Sequence, residues 1–90
     1  MLTTLLNWWR GAIRRRRAIQ TAARSVTRDR GVRAYMVSVI HEDDARTVVR
    51  VCFGETMPPQ RVWVGVPHHE GTAEELDWHD AQQIGETPWR

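Results

Sequence analysis

The sequence has little of several residue types, and each scarcity excludes a class of protein. Cys52 is the single cysteine among 90 residues, so no disulfide can form within the chain and the disulfide-stapled secreted domains are excluded. A reducing, cytoplasmic location is expected from this cysteine content. No apolar run approaches the roughly 18 residues that a membrane-spanning helix needs. No glycine-rich phosphate-binding loop is present either, because the glycines in the second half of the chain are isolated from one another.

Lysine is absent altogether, since all 13 basic residues are arginine. A coding sequence rich in G and C accounts for that bias without any function, but each guanidinium is still a planar fork suited to phosphate or carboxylate. The charges are also segregated: residues 1–33 contain nine arginines and one acid (+8), and residues 34–90 contain four arginines and ten acids (−6). A segment of charge +8 attracts nucleic acid, anionic lipid or an acidic protein surface. Alternatively, the acidic part neutralises the basic part within one fold or across a dimer.

The first third of the chain predicts one long amphipathic helix over residues 4–28, within a basic segment 1–31 that Gly31 ends. Its apolar stripe contains Leu5, Trp8, Ala12, Ile19, Ala22 and Val26. Arg15 is the one charged residue at a position of this stripe. The opposite stripe contains Arg10, Arg14, Arg17, Arg24 and Arg28. Near the start of the helix the apolar arc broadens through Leu2, Leu6, Trp9 and Ile13. Because such a helix is longer than a short strand, we expect residues 1–12 to protrude beyond the sheet or the helix to break near Gly11.

Three segments, 33–41, 46–53 and 61–66, are rich in β-branched and aromatic residues and predict a three-stranded antiparallel meander. Pairing odd with odd positions creates one face that contains Tyr35, Val37, Val39, Val49, Val51 and Phe53, which Val62, Val64 and Val66 can join. The other face contains Met36, Ser38, Ile40, Val48, Arg50, Cys52 and Trp63. That face is too apolar to remain bare, so the C-terminal segment, a second subunit or a partner should cover it.

The acidic segment 67–90 predicts one short helix. Thr72 and Glu75 have the spacing of a capping box, which predicts a helix over residues 73–84 that Gly85 ends. Trp89, close to the end of the sequence, is a candidate to dock on the sheet. The whole chain, 1–90, is therefore expected to form a single α+β domain, with the basic helix at 1–31, the sheet at 32–66 and the acidic segment at 67–90.

These features favour a non-enzymatic function, that of a small adaptor or accessory subunit that binds an acidic partner. Nucleic acid, alone or within a nucleoprotein assembly, is the first candidate partner, on electrostatic grounds only. The predicted partner-binding residues are Trp8, Trp9, Arg10, Arg14, Arg15, Arg16, Arg17, Arg24 and Arg28. Tryptophan beside arginine on an apolar arc is also typical of a helix that lies on an anionic membrane, which is the main alternative. Packing of both tryptophans on the sheet, a homodimer and membership of a larger complex stay open.

Catalytic and metal-binding residues form only weak patterns. The spacing of His68, His69 and His79 among nearby carboxylates matches no zinc motif, so neither a metal nor another cofactor is predicted. Cys52 on a strand is more typical of a packed small hydrophobe than of a nucleophile, and no catalytic residue is assigned. The basic helix-plus-sheet chain loosely resembles the small ribonuclease toxins of toxin–antitoxin pairs, although those begin with a strand. The resemblance implies a further alternative, an RNA-cleaving enzyme in which phosphate would be contacted by Tyr35, His41, Arg46, Arg50 and Arg61.

Overall fold

The computed structural model describes residues 2–55 and 58–88, and the side chains of Leu2 and Thr3 lie outside this description. The elements are α1 Leu2–Arg30, β1 Ala34–Glu42, β2 Arg46–Phe53, β3 Gln60–Pro67, β4 Glu74–Leu76 and α2 Trp78–Gln83. The strands form one antiparallel sheet in chain order. The predicted α+β fold, a long N-terminal helix on an antiparallel sheet with a short C-terminal helix, is confirmed, but the sheet has four strands and not three.

Small side chains allow α1 to lie close against one face of the sheet. Ala18, Ala22 and Val26 are at most 2% exposed and pack against the valines of β2 and β3. The helix ends as predicted at Gly31, whose φ of 65° lies in the left-handed region that favours glycine. The backbone N–H of Gly31 donates to the carbonyl of Thr27 at 2.9 Å and closes the last turn.

The centre of β1 pairs with β2 in the predicted register, with Val37 opposite Val51. Tyr35 departs from the prediction. A bulge lies between Ala34 and Met36, so Ala34 packs against the helix-facing core and Tyr35 is 54% exposed. A bulge adds one residue to a strand and leaves it unpaired, which shifts the alternation of faces on either side of it.

The capping box predicted at Thr72 and Glu75 is wrong, because residues 74–76 form the short strand β4. This strand pairs with the middle of β3, whose backbone would otherwise be an open sheet edge. The helix α2 therefore begins later than predicted. Its N-cap is Asp77, whose carboxylate accepts the backbone N–H of Asp80 at 2.8 Å.

The C-terminal segment covers much of the second face of the sheet, which is one of the three possibilities that the sequence left open, while Met36 stays 50% exposed. A buried cluster on this face contains Val48, Trp63, Leu76 and Ala81. Beyond α2, the side chain of Glu86 is 9% exposed and accepts hydrogen bonds from Arg50 at 3.0 Å, from Arg61 at 3.1 Å and from the indole Nε1 of Trp63 at 3.0 Å. Trp89, the predicted docking residue, lies outside the described residues.

Candidate interaction surface on the first helix

Exposed apolar side chains are concentrated in the first half of α1. Among the described residues seven large hydrophobic side chains are exposed, and five of them lie here: Leu5, Leu6, Trp8, Trp9 and Ile13. Their exposed fractions run from 42% to 65%. The helix continues without a break through Gly11, and every side chain of residues 4–10 is exposed. Nothing in the described part of the chain therefore buries the side chains of residues 4–10.

Most of these side chains do not continue the stripe that packs on the sheet, and the exception is Trp8, which lies five full turns before Val26. Leu6, Trp9 and Ile13, which we call the apolar ridge, lie within about 60° of one another at about 100° per residue. Their mean direction is roughly 170° from that of Ala18 and Ala22, which contact the sheet. The mean direction of the apolar ridge is therefore away from the sheet, although Ile13 at its C-terminal end also lies beside the end of β3.

The two predicted tryptophan anchors are both exposed but differ in direction. Trp8 is 65% exposed and Trp9 is 57% exposed. As helix neighbours they project about 100° apart, so only Trp9 belongs to the apolar ridge, and Trp8 projects in the direction of Val26 but is exposed. The hypothesis that both tryptophans pack on the sheet is therefore wrong.

Carboxylates within the fold neutralise some of the predicted binding arginines. Nη2 of Arg14 is 2.6 Å from Oε1 of Glu42, and Nη1 of Arg15 is 3.5 Å from Oε2 of the same carboxylate. Arg28 pairs with its neighbour Asp29 at 3.0 Å. Burial raises the pKa of Glu42, but the hydrogen bond and charge of Arg14, together with Arg15, outweigh burial and hold that pKa below its ordinary value. Internal neutralisation, one of the interpretations that the sequence allowed, therefore accounts for part of the basic segment.

Four of the predicted binding arginines have no ion-pair partner among residues 2–55 and 58–88: Arg10, Arg16, Arg17 and Arg24. Arg10, Arg17 and Arg24 follow one another at seven-residue intervals, so they form a row with steps of about 10.5 Å. Arg10 and Arg17 flank one side of the apolar ridge, and Arg16 flanks the other. The surface thus combines an apolar centre with cations at both margins.

The other candidate residues are dispersed or engaged within the fold. In the part of the chain that the structure describes, no group of three or more His, Cys, Asp or Glu side chains could hold a metal ion. His68 hydrogen-bonds Thr47 at 2.8 Å, and His79 contacts Gln83 at 3.1 Å. Cys52 is buried and free.

The residues that the ribonuclease resemblance implies are not gathered at one site. Tyr35 and His41 stand near opposite ends of β1, about 20 Å apart along the strand. Arg50 and Arg61 lie on the second face of the sheet, where both bind Glu86. A single carboxylate thus engages both guanidiniums within the fold, although it offsets only one of their two positive charges.

Geometry alone identifies the surface on α1. No family model, no curated protein and no solved structure matches the chain. No helix among the described residues has the combination of length and apolarity needed to cross a bilayer. The partner-binding residues predicted from the sequence did not include Leu6 and Ile13, although the sequence contains a pattern that indicates them. The apolar arc of residues 2–13 is rotated away from the direction of residues 18–26 when both are projected at about 100° per residue.

Proposed function

We propose that this protein is a small accessory protein that attaches to anionic membrane surfaces through the first half of α1. The observation that carries the proposal is the direction of the apolar ridge, which points away from the sheet. The ridge also lies between arginines that form no ion pair with the described residues. A helix lying in a membrane interface buries its apolar face among the lipid headgroups and keeps its cations near the phosphates. The buried, free Cys52 supports a reducing, cytoplasmic location. The role is binding, with no catalytic step.

The apolar ridge and the arginines contribute to binding in different ways. Leu6, Trp9 and Ile13 gain free energy when their exposed apolar surface leaves water. Each arginine near an anionic surface adds about 1 kcal/mol, and this electrostatic contribution is screened by salt. We therefore expect reversible binding that requires anionic lipid and that high salt weakens without abolishing.

Co-sedimentation with lipid vesicles tests the proposal. The wild-type protein should bind vesicles of phosphatidylserine and phosphatidylcholine, and should bind pure phosphatidylcholine weakly. The double variant Trp9→Ser, Ile13→Ser should lose binding because it removes most of the apolar ridge. The double variant Arg10→Gln, Arg17→Gln should weaken binding to anionic vesicles by about 2 kcal/mol, which is about thirtyfold.

A matched control separates this surface from general adhesion of exposed apolar side chains. Tyr35→Ser with Met36→Ser removes two side chains that are 54% and 50% exposed and that belong to β1. This variant should bind vesicles like the wild type. Equal losses in the control and in the Trp9→Ser, Ile13→Ser variant would contradict the proposal, as would the absence of binding to anionic vesicles.

The regular row of Arg10, Arg17 and Arg24 favours nucleic acid as a second candidate partner. Three phosphate contacts predict a slope of about −2.7 for the logarithm of affinity against the logarithm of salt concentration on duplex DNA. The Trp9→Ser, Ile13→Ser variant distinguishes the two candidates, because it should remove vesicle binding and leave binding to a phosphate backbone intact. We prefer the membrane because a phosphate backbone gives the apolar ridge no partner.

A further inference from the structure

A cavity of 260 Å³ opens between α1 and the end of β3. The residues that matter for its chemistry are Arg10, Arg14, Arg17, Ile13, Val66 and His68. None of the residues that line it is acidic. Ile13 also belongs to the apolar ridge, so the cavity lies on the flank of the proposed membrane-binding surface.

His68 forms a fixed wall of the cavity, because the fold occupies both of its ring nitrogens. Nδ1 is 3.2 Å from the backbone carbonyl of Asp44, and a carbonyl can only accept, so Nδ1 carries the proton. Nε2 is 2.8 Å from the hydroxyl of Thr47, and the Thr47 side chain is fully buried. The backbone N–H of His68 also donates to the carbonyl of Ala45 at 2.9 Å. The sheet side of the cavity is thus pre-organised without any ligand.

The helix side of the cavity has at least two positive charges in excess. Arg14 is engaged, because its Nε and Nη2 both donate to Oε1 of Glu42, a carboxylate that it shares with Arg15. Arg10 and Arg17 have no acidic partner in the described ranges of the chain. Two uncompensated guanidiniums beside one cavity repel each other, and an anion between them converts that repulsion into attraction.

We propose that this cavity binds a phosphate monoester, through Arg10 and Arg17. A monoester carries a charge of about −1.5 to −2 at pH 7, which matches the two uncompensated guanidiniums. Its three terminal oxygens also suit the forked donors of arginine. The volume of 260 Å³ is below the range of about 300–1,000 Å³ typical of pockets for drug-sized ligands, so it suits a phosphate headgroup with little attached to it.

Titration of the full chain with glycerol 3-phosphate, followed by calorimetry and by NMR of the arginine side-chain N–H groups, tests the proposal. Saturable binding is expected, and Arg17→Gln should weaken it by about tenfold or more. Arg24→Gln is the matched control, because Arg24 is an exposed arginine of the same row that does not line the cavity. This control should keep the affinity within about twofold of the wild type. Val66→Phe should fill the cavity and abolish binding while every arginine remains.

Circular dichroism establishes whether the Val66→Phe variant is folded. If Val66→Phe unfolds, Arg17→Gln still tests the proposal, because Arg17 is exposed and its replacement should leave the core intact. Absence of saturation up to about 10 mM glycerol 3-phosphate would overturn the proposal. An equal loss of affinity in Arg17→Gln and Arg24→Gln would overturn it as well, since it would indicate attraction to the whole helix.

A comparison of vesicles of two lipid compositions distinguishes a lipid headgroup from a soluble organophosphate as the source of the phosphate. Phosphatidic acid carries a monoester headgroup, so it is compared with phosphatidylserine at matched surface charge. A preference for phosphatidic acid that Val66→Phe removes assigns the cavity to a lipid headgroup, and this outcome rests on the proposed membrane function. Binding of glycerol 3-phosphate without such a preference supports the cavity with a soluble organophosphate as its ligand. The soluble titration involves no membrane, so its failure and the failure of the proposed function are separate results.

Discussion

Replacement of Glu86 by alanine should strongly destabilise the protein, because one carboxylate holds three donors from two strands. It accepts from Arg50 at 3.0 Å, from Arg61 at 3.1 Å and from the indole of Trp63 at 3.0 Å. Removal of one partner from a fully buried ion pair costs about 3–5 kcal/mol. Here the Arg50 side chain is 27% exposed, and Arg61 keeps a second acceptor, the carbonyl of Thr87. Because water and Thr87 relieve part of the loss, we expect a destabilisation of about 3 kcal/mol.

Thermal unfolding followed by circular dichroism measures this effect. In a domain of this size 1 kcal/mol shifts Tm by about 4–8 °C, so Glu86→Ala should lower Tm by about 12–24 °C. Glu70→Ala is the matched control, because Glu70 is exposed and has no hydrogen bond or ion pair with the described residues. The control should stay within about 2 °C of the wild type. A shift below about 3 °C in Glu86→Ala would refute the reasoning, since it would mean that the carboxylate does not hold the C-terminal segment on the sheet.

Two glycines should respond in opposite ways to alanine, as urea denaturation can measure. Gly11→Ala should stabilise the protein by about 1 kcal/mol, because α1 is continuous there and the added Cβ meets only the flexible end of an arginine at 3.2 Å. Gly31→Ala should destabilise it by about 1 kcal/mol, because φ is 65° at that position. The free energy of unfolding should also fall as the pH drops through the pKa of Glu42, which lies below the ordinary value of a glutamate. The sign follows because the folded state favours the ionised carboxylate, so its contribution to the free energy of unfolding is present at higher pH and is lost at lower pH. Arg14→Gln should reduce this dependence of the free energy of unfolding on pH.

Local periodicity was sufficient to predict the main elements. The helix was predictable because apolar positions recur at helical spacing over many turns and Gly31 follows them. The central register of β1 and β2 was predictable because a slip by one residue would mix the valine face with the other face.

The errors arose where a distant partner decides the local structure. Thr72 and Asp77 both offer a helix N-cap, and only the open edge of β3 favours a strand over residues 74–76 and leaves the cap to Asp77. The carboxylate of Glu86 lies 36 residues from Arg50 and 25 from Arg61 along the chain, so sequence spacing carries no sign of the cluster. The same limit applies to the cavity, whose walls come from α1 and from the end of β3.

The helix α1 has two apolar faces on opposite sides, and only one of them can pack on the sheet. This determines the direction of the apolar ridge. The packed stripe of α1 uses small residues such as Ala18 and Ala22, which fit close against the valines of the sheet. A rotation of the helix by roughly 170° would bury the apolar ridge, but it would expose those alanines and turn Arg17 toward the sheet, leaving a guanidinium buried without a partner. The partly exposed ion pairs of Arg14 and Arg15 with Glu42 add a small preference for the observed rotation. The packing of the small residues therefore leaves the apolar ridge pointed outward, where we expect a surface other than this chain to cover it.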